Sequence, residues 1–194
     1  MKNTFSTKIL FLISAVFLSS CASLKPENNL NKVYVTNSTQ VDLLLPEVLG
    51  EKSEYQYFEG DFGKNTFSAL LYLETTPAQT QILLLNEMGL TLGSIFYDGK
   101  TCLLESELFP KKLKGEYIIL DLQNAYAPAE VLKNHYEKYK LSFEETKNHD
   151  SVYRTIKKND GSNEVLIEEI FIDGTKTQIK NHLRNYTYTL LLNQ

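Results

Sequence analysis

The chain has 194 residues, about one domain's worth, and its 42% hydrophobic and 23% charged residues are ordinary for a globular protein. Its formal net charge is -4. An acidic chain is a poor partner for nucleic acid, whose affinity for proteins comes mainly from neutralised phosphates. It also lacks the polybasic patch that attracts proteins to anionic membranes. Any membrane contact must therefore come from a tether.

The first twenty residues are built like an export signal. Lys2 and Lys8 form a positive beginning, and a short apolar run follows over Ile9–Phe17. The run is too short to cross a hydrocarbon core of ~30 Å, which needs about 20 residues. We interpret residues 1–20 as a signal peptide.

The end of this signal carries a lipoprotein motif. Leu18-Ser19-Ser20-Cys21 resembles the lipobox of bacterial lipoproteins, where cleavage precedes a cysteine that receives diacylglycerol on its sulfur and a third chain, such as palmitate, on its amine. The alternative is an ordinary signal with a chance cysteine at the boundary. Two or more acyl chains anchor a protein stably, because each buried CH₂ contributes ~0.8 kcal/mol. We expect Cys21 to be lipidated.

The residues after the cysteine predict location and tether. Loss of Lys2 and Lys8 with the signal leaves 18 basic against 24 acidic residues, a net charge of -6. Ala22 and Ser23 lack the aspartate that retains many lipoproteins at the inner membrane, so we expect the periplasmic face of the outer membrane. Residues 21–38 are polar and Asn-rich, which favours a flexible stalk. Residues 39–194 are then a single domain.

The first half of this domain predicts antiparallel strands. Thr66–Thr75 places alternate apolar residues on one face, and Asp98-Gly99 is a strong two-residue hairpin signal. Such short connections force neighbouring strands to run antiparallel. The predicted strands are Glu54–Lys64, Thr66–Thr75, Gln81–Asn86, Thr91–Tyr97 and Thr101–Glu105.

A helical interruption follows, and strands then resume. Ile118, Leu122 and Tyr126 are four residues apart, which is helical spacing, and Pro128 can open a second helix. The later predicted strands are Leu141–Thr146, Val152–Lys157, Glu164–Ile172, Thr175–His182 and Tyr186–Leu192. We predict a mainly β (α+β) fold, a half-open, curved antiparallel β-barrel of about ten strands with a two-helix insert on its concave face.

Motifs for catalysis, metals and cofactors are missing from the sequence. The three histidines lack the spacing of metal ligands, and no nucleophile elbow, Walker loop or dinucleotide fingerprint occurs. Cys102 lies inside a predicted strand, where a small buried hydrophobe is favoured over a nucleophile. Glu168 and Glu169 are adjacent on a strand and so point to opposite faces. We expect a non-enzymatic protein without metal or cofactor.

The helical stripe leaves two interpretations open. Ile118, Leu122 and Tyr126, facing a concave sheet, can close a packed core or roof a cavity, and periodicity alone favours the core. A barrel of this size can also hold one apolar ligand. The candidate ligand or lid residues are Leu71, Leu73, Leu84, Phe96, Ile118, Leu122, Tyr126 and Leu190.

From about Leu44 to Leu192 the sequence resembles an uncharacterised family of bacterial outer-membrane lipoproteins noted beside genes for aryl polyene lipids. The stretches that carry the resemblance are Leu44-Leu45-Pro46, Phe67-Ser68-Ala69-Leu70-Leu71, Ile95-Phe96-Tyr97-Asp98-Gly99-Lys100, Tyr117-Ile118-Ile119-Leu120-Asp121-Leu122-Gln123 and Ala125-Tyr126-Ala127-Pro128-Ala129. Asn124 and Ala127 depart from it, because the family is more apolar there. Asp121 and Gln123 can be helix-surface or capping groups or functional ones, and we favour a structural role.

The resemblance implies a fold similar to the Lol-type lipoprotein carriers and receptors, a half-open barrel lidded by helices around a cavity for acyl chains. The leading hypothesis is therefore a membrane-tethered protein that binds or passes on the acyl chains of a lipid or lipoprotein. The second is a structural or assembly lipoprotein of an envelope complex that binds no small ligand. An acyl-handling hydrolase or transferase is least favoured, for want of a nucleophile and base.

The lipobox interpretation predicts the behaviour of Cys21→Ser. Without the thiol, the chain should remain an uncleaved, unlipidated precursor and take up no radiolabelled palmitate, whereas the parent chain takes up label and fractionates with the outer membrane. Palmitate on the Cys21→Ser chain would contradict the prediction, and so would parent protein that sediments mainly with the inner membrane.

Overall fold

A computed structural model describes residues 31–106, 108–161 and 163–192, and the predicted signal peptide and Cys21 lie outside these ranges. Strands dominate the described first half, with a short 3-10 helix at Pro46–Leu49. Its strands are β1 (Lys32–Tyr34), β2 (Gln40–Asp42), β3 (Lys52–Asp61), β4 (Thr66–Thr75), β5 (Thr80–Leu85), β6 (Thr91–Tyr97) and β7 (Cys102–Ser106). Two helices follow, α1 (Gly115–Tyr126) and α2 (Ala129–Glu137). The remaining strands are β8 (Leu141–Asn148), β9 (Ser151–Asp160), β10 (Asn163–Asp173), β11 (Lys176–Asn181) and β12 (Tyr186–Leu192).

Ten of these strands form one antiparallel sheet. Its order is β7-β6-β5-β4-β3-β12-β11-β10-β9-β8, so every pair is a sequence-adjacent hairpin except the central contact between β12 and β3. The outermost strands, β7 and β8, are not paired with each other, and the sheet stays open. This confirms the predicted mainly β fold, a half-open curved sheet with two helices.

The alternation of side chains along the strands gives the sheet one buried and one half-exposed face. On β4 the inward residues Leu71 and Leu73 are buried, whereas Leu70 and Tyr72, which alternate with them, are half-exposed. The same period of two continues through β5, β6 and β12. The inner faces of these strands and the helix α1 share one hydrophobic core.

The hairpin between β6 and β7 shows how local chemistry fixes the turns. Gly99 has a φ of +87°, which favours glycine, and the Asp98 carboxylate accepts hydrogen bonds from the backbone N–H groups of Lys100 (2.8 Å) and Thr101 (2.6 Å). These N–H donors lower the pKa of Asp98. Asp173-Gly174 occupies a turn of the same composition. The hairpin predicted at Asp98-Gly99 is thus confirmed.

The helix α1 is enclosed on all sides by the domain. Every residue from Ile118 to Ala125 is buried, polar residues included. It contacts β1, β6, β7, β10 and β11, whereas α2 packs mainly on β8 through Leu132 and Tyr136. Both predicted helices are confirmed. Within the described residues, neither is long and apolar enough to cross a membrane.

The N-terminal part of the domain corrects the predicted stalk. The stalk was expected to extend to Ser38, but β1 and β2 pair as a small hairpin whose valines Val33, Val35 and Val41 are buried. Val33 and Val35 alternate within the polar, Asn-rich stretch and, with Val41 on β2, anchor it to the core. The ordered domain therefore begins before residue 39.

A side-chain amide of α1 fixes the segment that follows this hairpin. The Gln123 Oε1 atom accepts a hydrogen bond from the backbone N–H of Leu44 (3.0 Å), and its Nε2 donates to the Leu44 carbonyl (2.7 Å). The Tyr97 hydroxyl donates to the same carbonyl (3.0 Å). Gln123 is fully buried, so its predicted role as a helix-surface or capping group is wrong. Its amide instead forms the two hydrogen bonds to the backbone of Leu44 that a neighbouring strand would otherwise form.

Candidate functional site

Most of the predicted ligand or lid residues lie together in the hydrophobic core. Their exposed fractions are between 1 and 4%, so these side chains pack against protein atoms, as in the closed-core interpretation. They are Leu71, Leu73, Leu84, Ile118, Leu122 and Leu190. The remaining two candidates, Phe96 and Tyr126, lie elsewhere.

Tyr126, Phe96 and Cys21 do not join this buried set. Tyr126 is half-buried at the end of α1, and its hydroxyl donates to Thr177 Oγ1 (3.3 Å). The assignment of Phe96 is corrected: Ile95 and Tyr97 point inward, so Phe96 points to the outer face of the sheet. Cys21 lies outside the described residues.

The inner face of the sheet holds a buried polar network under α1. Asp121, on the helix, is 1% exposed, and its Oδ2 atom accepts hydrogen bonds from the hydroxyls of Tyr186 (2.7 Å) and Tyr188 (3.1 Å) on β12. Its carboxyl group also hydrogen-bonds that of Glu168 on β10. Asp121 is therefore a buried connector between helix and sheet, not the surface or capping group that the sequence suggested.

Glu168 extends this network with two side-chain amides. Its Oε1 accepts from Asn124 Nδ2 (3.0 Å), and its Oε2 accepts from Asn181 Nδ2 (3.2 Å). The hydroxyl of Tyr136 on α2 donates to Asn124 Oδ1 (2.7 Å). Glu169, the neighbour of Glu168, points outward and accepts a hydrogen bond from Tyr153 (2.6 Å). The predicted opposite orientation of the two glutamates is confirmed.

Burial dictates the ionisation of the two carboxyl groups. It raises the pKa of Asp121 well above its usual range, and the charge of Glu168 raises it further. Burial also raises the pKa of Glu168, although its amide donors and Asp121 act in the opposite direction. We therefore expect Asp121 to be the carboxyl group of this pair that keeps its proton. One proton shared by two buried carboxyls avoids placing two like charges in the core.

Arg154 on β9 holds the C-terminal end of α1. Its Nη1 atom lies 2.8, 2.8 and 3.0 Å from the carbonyl oxygens of Asn124, Ala125 and Ala127, which the helix leaves without an internal partner. Its Nε donates to Glu145 Oε2 (2.8 Å). A cation at this end also complements the helix dipole. Arg154 therefore has a structural role.

An open cleft of about 330 Å³ lies at the other end of α1. The turn after β3, the loop before α1, the first turn of α1 and the turn between β11 and β12 meet there. The pairing of β3 with β12 brings two of these turns together. The cleft is lined by Phe62, Pro110, Lys112, Leu113, Tyr117, Arg184 and Tyr186.

Aromatic rings form the inner wall of the cleft. The ring of Phe62 lies 5.5 Å from that of Tyr186, and behind it are Phe67 (5.7 Å) and the buried Phe109 (5.5 Å). A Cβ atom at Gly60 would lie 2.7 Å from the ring of Phe62, so glycine is required for this packing. The cleft therefore ends on a rigid, apolar floor.

A wider depression of about 710 Å³ lies across β4, β3 and β12. Glu59, Asp61, Ser68 and Thr189, outward residues of these strands, line much of it. Such a polar, open surface offers little to an apolar ligand. The cleft beside α1 is the better candidate ligand site because it has aromatic and aliphatic walls.

The described residues offer little to a catalytic mechanism. Burial, followed by the charge of Glu116, raises the pKa of the half-buried Cys102 thiol to about 12, which opposes formation of the thiolate nucleophile. His135 is buried on α2, and burial lowers its pKa. His182 contacts Glu169 (3.1 Å) near the surface. No group of three or more metal-ligating side chains occurs within the described ranges.

Sequence reasoning missed both the polar network and the cleft. One signal for the network was present, because Asp121 and Asn124 are polar residues in a helix that also carries the apolar stripe of Ile118 and Leu122. The cleft gave no comparable signal. Its walls come from four separate segments, and the pairing of β3 with β12 brings two of them together.

The fold and site thus define a half-open antiparallel sheet around one buried helix, with an open apolar cleft at the N-terminal end of that helix. The sequence model of a family described as "Protein of unknown function (DUF3261)" matches residues 53–193. This is most of the chain, and the protein belongs to that family. A search of curated proteins gave no match.

The buried carboxyl pair predicts how stability depends on pH. Folded protein keeps a proton on Asp121 that the unfolded chain releases above about pH 4. The free energy of unfolding should therefore decrease as the pH rises from about 4 toward the raised pKa, by at most about 1.4 kcal/mol per pH unit for one proton. Asp121→Asn mimics the neutral acid and should reduce the dependence of this free energy on pH. The stability of the variant relative to the parent chain should therefore increase as the pH rises.

Urea unfolding from pH 5 to 8 measures the effect. The control is Asp150→Asn in an exposed turn, which should keep the parent slope. Equal slopes for Asp121→Asn and the parent chain would mean that no proton is held on Asp121.

Proposed function

We propose that this protein is a lipid-anchored, non-enzymatic binding protein that holds an acyl chain of a lipid or lipoprotein in the cleft beside the start of α1. The anchor is the predicted acyl group on Cys21, and the predicted location is the periplasmic face of the outer membrane. The proposal includes that the protein is a lipoprotein and that it is associated with aryl polyene lipids, as the sequence resemblance implies. The observation that carries it is the open cleft with its aromatic floor.

The cleft suits a single apolar chain better than the interior does. Its volume of about 330 Å³ is at the lower end of the range for small-molecule sites. Phe62, Leu113 and Tyr117 are half-buried, so they present apolar surface to solvent that a ligand would cover. The space between α1 and the sheet, by contrast, is filled by buried side chains.

Photolabelling of the full-length protein tests this proposal. The protein would be placed in phosphatidylcholine nanodiscs and labelled with a fatty acid that carries a diazirine near the end of its chain. We expect saturable labelling of peptides that contain Phe62 or residues 110–117. Leu113→Glu puts a charge on the apolar wall and should lower this labelling by about tenfold at an unchanged melting temperature.

The matched control is Leu90→Glu, a change of the same chemistry at a 60% exposed leucine in the turn between β5 and β6. It should label like the parent protein. Labelling that is scattered over the surface, or that Leu113→Glu leaves intact, would refute the cleft as an acyl site.

The outer face of the sheet supports a second candidate function, that of an assembly lipoprotein. Three short apolar rows lie on this face, one across β12 to β5, one across β3 to β5 and one across β6 and β7. Tyr55, Tyr57 and Leu103 in these rows are 48, 54 and 54% exposed. The half-exposed members of the rows are Leu70, Tyr72, Leu83, Leu85, Phe96 and Leu191. Contiguous exposed apolar surface of this kind marks interaction sites.

Charge narrows the partner that this face could bind. The outward residues of β3 to β7 and β12 include Glu59, Glu74 and Glu105, and these described strands carry no outward lysine or arginine. An apolar centre with an acidic margin is complementary to a protein with an apolar patch and a basic margin. For this second candidate function we therefore expect a protein partner whose apolar patch is surrounded by basic residues.

Site-specific crosslinking in cells tests the assembly role. A photoreactive residue at position 57 or 103 should crosslink one and the same protein, through a contact peptide rich in Lys or Arg. The same residue at position 180, on the charged outer face of β11, is the control and should not. Loss of the crosslinked product in Tyr55→Lys would support the apolar contact, whereas different products from positions 57 and 103 would end this hypothesis.

A further inference from the structure

We propose that the cleft selects single-chain lipids that end in a carboxylate, with Arg184 and Lys112 binding the head group and the aromatic floor contacting the chain. This inference rests on the proposed function and adds the chemical class of the ligand. It begins from the charges around the cleft. In an acidic chain, the residues that line this cleft include two cations and no carboxylate.

The position of Arg184 is fixed from two sides. Its guanidinium group lies over the ring of Tyr117, 3.9 Å from the centroid. Its backbone N–H donates to Asn181 Oδ1 (2.9 Å), and Asn181 also donates to the buried Glu168. The turn that carries Arg184 is therefore hydrogen-bonded to the network beneath α1. Because the guanidinium is already held in place, a ligand that binds there does not incur the entropic cost of ordering it.

A guanidinium stacked on a ring still presents its N–H groups at its edge. These donors match the two oxygens of a carboxylate in a bidentate pair. Within residues 31–106, 108–161 and 163–192, none of the ion pairs involves Arg184 or Lys112. Both cations are thus available to an anion that enters the cleft.

The arrangement of polar and apolar groups gives the ligand a direction. Lys112 is exposed and Arg184 half-buried, so both can reach a group at the mouth of the cleft. Phe62, Leu113 and Tyr186 form the apolar side, and Tyr186 is only 4% exposed. A ligand with its carboxylate at the mouth and its chain toward the floor would contact both the cations and the apolar side of the cleft. The small volume of the cleft favours a ligand with one chain over a ligand with two.

The test compares three photoreactive probes with the same diazirine-bearing chain and different heads, a carboxylate, a primary alcohol and an ammonium group. Full-length protein in phosphatidylcholine nanodiscs is labelled at pH 8, and adducts on cleft peptides are counted by mass spectrometry. We expect the carboxylate probe to label the cleft about tenfold better than the alcohol, the range for one charge-assisted hydrogen bond. The ammonium probe should label least.

Variants then assign this preference to the two cations. Arg184→Gln should reduce the carboxylate-to-alcohol ratio toward one while alcohol labelling persists, and Arg184→Lys should restore part of it. Lys112→Glu leaves the stacking of Arg184 on Tyr117 unchanged. It therefore tests the inference even if the Arg184 variants disturb the turn between β11 and β12. It should lower carboxylate labelling and raise ammonium labelling, and Lys176→Gln on β11 is the control without effect.

The outcomes separate this inference from the function on which it rests. Equal, saturable labelling of the cleft by the carboxylate and alcohol probes would overturn the head-group preference and leave acyl binding intact. A carboxylate preference that survives both Arg184→Gln and Lys112→Glu would also overturn it. No labelling of the cleft by any probe would refute the acyl-binding function itself.

Discussion

The burial of two carboxyl groups, those of Asp121 and Glu168, is the constraint on which the rest of the structure depends. A helix buried on all sides must satisfy every polar group it carries, because an unpaired charge in a core is strongly unfavourable. Two tyrosine hydroxyls and two asparagine amides surround this carboxyl pair. Helix α1 therefore has one orientation and one depth in which its polar residues are all paired.

The same network positions the cleft. Tyr186 donates to Asp121 through its hydroxyl, and its ring forms part of the cleft floor. Asn181 binds Glu168 and also accepts the backbone N–H of Arg184. One side of the cleft and its best-placed cation are thus fixed by groups that never contact a ligand. A site held in this way is preorganised, which lowers the entropy lost on binding.

Much of the fold was predictable from the sequence, because the period of two in β4 and β12 and the Asp-Gly turns are local signals. The helical spacing of Ile118 and Leu122 was also a local signal, and the structure confirms these two strands and the helix. The hairpin of β1 and β2 was missed because its strands have three residues each and lie in a polar stretch. The outward position of Phe96 could have been derived from alternation along β6.

The candidate site was less accessible to sequence reasoning because it depends on contacts across the chain. Asp121 and Glu168 are 47 positions apart by their numbers, and only the packing of α1 on β10 makes them partners. Polar residues on a helix are usually solvated, so interpreting Asp121 and Gln123 as surface groups followed the general rule. The rule fails for a helix that sits inside a curved sheet and has no solvent face.

The burial of α1 also determines how a ligand could enter. A helix that acts as a lid must leave the sheet, and here that motion would break the bonds of Asp121, the amide pairing of Gln123 with Leu44 and the contacts of Arg154 with the helix end. Buried hydrogen bonds that lose their partners cost about 1–3 kcal/mol each, and charged groups cost more. The end cleft requires none of these changes, because its mouth is formed by turns. Exchange of a ligand there can proceed with the core intact, as the proposed binding of an acyl chain requires.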